Sequence, residues 1–78
     1  MKPNFALIVK PIPNGHRTKA ALFLTRHLGV PRDEARQIVR DGGVCGIGEG
    51  ADLLLGRSRV LDRLVGAVVS RVDRVSAV

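Results

Sequence analysis

The sequence predicts a small α+β domain: an antiparallel-containing sheet with three helices on one face, in the order β-α-α-β(β)-α-β. Three observations predict it. An apolar run with side chains on both faces opens the chain at Phe5–Ile12. Three later segments carry apolar residues at helical spacing, and a valine-bearing run closes the chain. Strand-like runs separated by helices are the pattern of helices packed on a small sheet. At 78 residues the chain is one domain, 1–78, that must fold on a single core.

Each element has a local reason. In Phe5–Ile12, Phe5, Leu7 and Val9 lie on one face and Ala6, Ile8 and Ile12 on the other, as a strand requires, and Pro11, Pro13, Asn14 and Gly15 end it. Arg17–Leu28 is the first helix. Ala20, Ala21, Leu24 and Leu28 share one stripe, Leu22 and Phe23 widen it, and Gly29 suits the left-handed position that ends a helix. Pro31–Asp41 is the second. Pro31 suits its first position, Asp33 and Glu34 its positive end, and Gly42 stops it. Ala35, Ile38 and Val39 face inward, while Arg32, Arg36 and Arg40 fall at i, i+4 and i+8 as a basic ridge. Each like-charge pair on that ridge costs an isolated helix about 0.2–0.5 kcal/mol, which Asp33 offsets in part through Arg36.

Val44, Cys45 and Ile47 form a short strand, and Ala51–Leu55 a second that would make a hairpin around Gly48–Gly50. Ser58 then suits an N-cap. The third helix carries Leu61, Leu64, Val65, Val68, Val69 and Val72 as its apolar stripe, with Arg59, Asp62, Arg63, Ser70 and Arg71 on its wet face. Asp73–Val78 closes the sheet as an edge strand.

Gly29-Val30, Glu34-Ala35-Arg36 and Ile38-Val39 resemble the turn and following helix of the C-terminal domain of the bacterial ribosomal stalk protein. Gly43-Val44-Cys45-Gly46 is similar to the glycine-rich entry to the central strand of the ClpS adaptor of the Clp protease. The resemblance implies a fold of this order used as a docking module in a bacterial cytoplasm. The positions where the stalk domain is basic fall near Leu22 and Thr25. The acidic turn of ClpS is replaced by Pro13-Asn14-Gly15, so the binding residues of those families do not carry over.

Composition narrows the function. Thirteen Lys and Arg against seven Asp and Glu give a net charge of +6, which suits an acidic protein partner, a nucleic acid or simple solubility. Phe5 and Phe23 are the only aromatic residues, which argues against a base-stacking surface. The longest apolar run, Leu64–Val69, has six residues against the roughly 20 of a membrane span. Lys10 and Pro11 interrupt the first run, so it is not a signal peptide. One cysteine, Cys45, forms no disulfide framework and points to a reducing, cytoplasmic setting.

Nothing in the sequence assembles a reactive centre. His16 and His27 have no ligand spacing between them, and neither pairs with Cys45 and a third orienting group. Gly46-Ile47-Gly48-Glu49-Gly50 lacks the Lys-Ser/Thr of a phosphate loop and places Glu49 where a phosphate would lie. The expected function is therefore a protein-interaction module with no enzymatic activity, cofactor or metal. Its expected contact surface is the helix pair, with Arg26, Arg32, Arg36 and Arg40 meeting an acidic partner and Phe23 as the apolar anchor. The alternative basic face is Arg59, Arg63 and Arg71. Two other readings stand beside it: phosphate contacts along the Arg ridge, and self-association of an edge strand bearing Val72, Val75 and Val78.

Overall fold

The computed structural model describes residues 4–75. Its elements are β1 (Asn4–Val9), α1 (Arg17–Leu28), α2 (Arg32–Asp41), β2 (Gly43–Cys45), α3 (Ala51–Val65) and β3 (Ser70–Val75), with one 3-10 turn at Asn14–His16 before α1. The sheet has the order β2-β1-β3, and both pairings are antiparallel. The fold is α+β, as the periodicities require.

β1 is central. Its alternation sends Leu7 and Val9 into the core with Phe5 packed at the margin, and the register places Cys45 and Val72 beside Leu7. The helices cover this face. The opposite face carries Ile8, flanked by Val44 and Arg71, and Ala6 beside Asp73. β1 ends at Val9 rather than Ile12, because Pro11 has no N–H for a ladder. Lys10 still donates to Val69 O at 2.8 Å, and Ile12 N–H turns to Val39 O at 2.8 Å. Ile12 is thereby buried beneath α2 without being in a strand.

Leu7, Ile12, Leu24, Leu54 and Leu61 are the largest fully buried side chains. Each contributes about 1.5–3 kcal/mol relative to exposure. α1 buries Ala20, Phe23 and Leu24, and ends at Gly29 with φ 65°. α2 buries Ala35, Ile38 and Val39. Pro31 lies one position before α2, and its carbonyl accepts the Ala35 N–H at 2.8 Å.

The region after β2 departs from the expected hairpin. Ala51–Leu55 is the start of α3, which Gly50 precedes. The buried set Leu54, Ser58, Leu61 and Val65 is a helical stripe (i, i+4, i+7, i+11) that begins before Gly56, an exposed glycine the helix tolerates. Ser58 is therefore interior and not a cap. Gly66, at φ 80°, ends the helix, with its N–H bonded to Asp62 O at 2.8 Å. Val68, Val69 and Val72 lie beyond it. Val69 is buried from the connecting turn and Val72 half-buried from β3, so their spacing only imitates a helix. Ser70 and Arg71 belong to β3 for the same reason, and residues 76–78 of the expected closing strand lie outside the described residues.

A buried polar cluster joins α3 to β3. The Ser58 and Ser70 hydroxyls lie 2.7 Å apart. Asp62 Oδ1 accepts the Ser70 hydroxyl at 2.8 Å, the Val69 N–H at 2.9 Å and the Ser70 N–H at 3.0 Å. One carboxylate thus satisfies the turn that reverses the chain into the last strand.

Candidate docking groove

α1 and α2 lie side by side, joined by the short turn at Gly29–Pro31. Between them runs an open groove of about 390 Å³. Ala21, Leu22 and Val39 supply its apolar lining, and Thr18 and Thr25 add hydroxyls on the α1 side. Arg17 stands on α1, and Arg32, Arg36 and Arg40 line the α2 side. No carboxylate lines the groove.

The helix period explains the arrangement. Arg32, Arg36 and Arg40 repeat every four residues, so they follow one edge of α2 for two turns next to the buried Ala35 and Val39. On α1, Arg17, Ala21 and Thr25 repeat in the same way, with Thr18 and Leu22 one step round. Arg17 is pinned: its Nε donates to Ile12 O at 2.9 Å, which leaves its terminal nitrogens for another acceptor. Arg40 pairs with Asp41 at 3.1 Å, but both side chains are more than half exposed, so the pair contributes about 0–1 kcal/mol and is readily exchanged. Among the described residues, Arg32 and Arg36 have no carboxylate within ion-pair distance; Asp33 does not engage Arg36.

The expected contact residues separate in space. Arg32, Arg36 and Arg40 line the groove, whereas Arg26 is exposed on α1 outside it. Phe23, the expected anchor, is a core residue at 6% exposure, its ring 4.8 Å from the His27 ring. Its neighbour Leu22, 46% exposed, is the apolar group that the groove presents. Arg59 and Arg63 stand one turn apart on α3, but Arg71 is on β3, where it pairs with Asp73 at 3.7 Å, so the three do not share a helix face. Arg17, Thr18 and Thr25 were not singled out by sequence reasoning. Their signal is the four-residue repeat from Arg17 to Thr25, beside the core stripe.

Among the described residues no group of three or more His, Cys, Asp or Glu side chains could hold a metal ion, and no helix is long and apolar enough to cross a membrane. The Cys45 thiol is pushed up to about 11 from an ordinary 9.0, first by burial and then by the negative charge of Glu34. It is a thiol near neutrality and a poor nucleophile. The expected result is that native protein resists iodoacetamide at pH 8 and is labelled once unfolded; rapid native labelling would contradict the burial. Because the fold holds this proton more tightly than the unfolded chain, its contribution to stability falls as pH rises from about 9 through about 11.

Comparisons with protein-family models, with curated proteins and with solved structures found no match to this chain.

Proposed function

We propose that the protein is a non-catalytic docking module whose α1–α2 groove receives an acidic, amphipathic segment of a protein partner. The observation that carries this reading is an apolar floor framed by four arginines with no carboxylate among the lining residues. Apolar side chains of the partner would cover Leu22, Ala21 and Val39. Its carboxylates would meet Arg32 and Arg36, whose forked donors suit bidentate pairing. Charge complementarity of this kind speeds encounter and fixes register. A nucleic acid would engage the same arginines but leave the apolar floor uncovered, which favours the peptide. The docking role implied by the stalk-domain and ClpS resemblance agrees with this reading, and the unpaired Cys45 suits a reducing compartment.

The test uses a designed helical peptide with Leu and Glu on one face, and duplex DNA and RNA as competitors, at matched salt. Peptide binding is expected to shift backbone amides of residues in the groove, with little change on β3. The double variant Arg32→Glu, Arg36→Glu is expected to weaken peptide binding at least tenfold while its melting temperature stays within a few degrees, since both side chains are exposed. Unchanged affinity in that variant would remove the groove from consideration. Groove shifts caused by nucleic acid at lower concentration than by peptide would replace the peptide with phosphate as the ligand.

A further inference from the structure

We propose that a second copy of this chain pairs with the outer edge of β3, antiparallel, about a two-fold axis at Val72. The inference is independent of the groove. β3 is an edge strand of six residues, with β1 on one side and, among the described residues, no strand on the other. Such an edge presents a row of backbone groups to a new strand.

The hydrogen-bond alternation says which groups those are. Lys10 N–H bonds to Val69 O, so along β3 the backbone groups of residues 71, 73 and 75 turn to β1, and those of 70, 72 and 74 turn outward. Two outward N–H groups are held within the chain: Ser70 by Asp62 at 3.0 Å, and Arg74 by the exposed carboxylate of Asp73 at 2.8 Å. Antiparallel pairing centred on Val72 uses what remains. The two Val72 residues exchange a pair of bonds, and each Arg74 N–H moves from Asp73 to the Ser70 carbonyl across the seam. Ser70 keeps its bond to Asp62, whose carboxylate holds the position that the incoming Arg74 carbonyl would take, so that carbonyl stays turned to water and the seam is limited to four bonds.

Charge selects this register. Arg71 and Asp73 stand on the same exposed face of the strand, 3.7 Å apart. Centred on Val72, each Arg71 lies opposite an Asp73, in the closer, non-hydrogen-bonded kind of pair. Centred on Arg71 or on Asp73 instead, two arginines or two aspartates face each other. A charged edge ordinarily keeps strands apart; here the order of charges is self-complementary, as a two-fold interface requires. Leu55 lies two turns before Asp62 on the same side of α3 and is 45% exposed, an apolar group that a second copy at this edge would cover.

The seam is small, so the dimer is expected to be weak, with a dissociation constant on the order of 100 μM. Sedimentation of the full chain should show the mass rising from 8.4 kDa toward twice that as concentration increases. Arg71→Asp and Asp73→Arg should each leave a monomer, because each sets like charges face to face. Mixing the two variants should restore association, since every opposed pair is then of opposite sign. Both sites are exposed, so the variants should keep the fold, which amide dispersion by NMR would verify. A native chain that stays monomeric at all concentrations, single variants that associate like the native chain, or a mixture of the two that stays monomeric would overturn the proposal.

Discussion

Replacing Gly42 with alanine is expected to lower the unfolding free energy by about 3 kcal/mol, a large share of the roughly 4–12 kcal/mol available to a domain of this size. Gly42 connects α2 to β2 with φ 83° and ψ 161°, a conformation that is essentially restricted to glycine. A Cβ there would lie 3.0 Å from Pro11 Cδ and 3.0 Å from Val9 O. Neither neighbour can yield, since Pro11 is a rigid ring and Val9 is held in the ladder opposite Gly43. Gly56→Ala is the control. Gly56 lies inside α3 with nothing near a new Cβ, so alanine there should stabilise by about 0.5–1 kcal/mol. Urea melts of the two variants should therefore move in opposite directions. Equal midpoints would mean that the turn at Gly42 is not the constraint described.

Asp62→Ala should be about as damaging, at about 3 kcal/mol, because it strands two backbone N–H groups at once and leaves the Ser70 hydroxyl only its weaker, uncharged partners on Ser58. Asp62→Asn should cost about 1 kcal/mol, since its amide oxygen can still accept but carries no charge. Hydrogen exchange offers a local readout: the amides of Val69 and Ser70 should lose protection in the alanine variant beyond the loss of global stability. If Asp62→Ala unfolds at the same denaturant concentration as the native chain, the cluster is incidental to the reversal.

How much of this was legible depended on whether the cause was local. α1 ends at Gly29 and α2 at Gly42, as their sequence suggests, because a helix stop is a property of one residue's backbone. α3 begins eight residues earlier than a cap at Ser58 suggests. A serine before an apolar stripe reads as a cap, but the bond that Ser58 makes is to Ser70, twelve residues on, and no local pattern announces it. Valines at 68, 69 and 72 kept a helical rhythm past Gly66, so periodicity outvoted the glycine. The groove shows the same division. Its α2 wall followed from a four-residue repeat of arginine. Its α1 wall depends on how two helices pack, and that angle also decides that Phe23 turns inward while Leu22 remains outside.

The strand at the centre of the sheet comes from the start of the chain, and its longer neighbour from the end: Asn4 stands opposite Val75. Closing that contact means bringing together segments separated by nearly the whole sequence, with an entropy cost that local contacts do not incur. α1 and α2, joined by a short turn, can associate early. β1 meanwhile has only the three-residue β2 to bond with. During synthesis β1 is made before the other described elements and waits longest for its partner, so the helical hairpin that frames the groove can form before the sheet is complete. Cooperative folding is deferred until the last strand arrives.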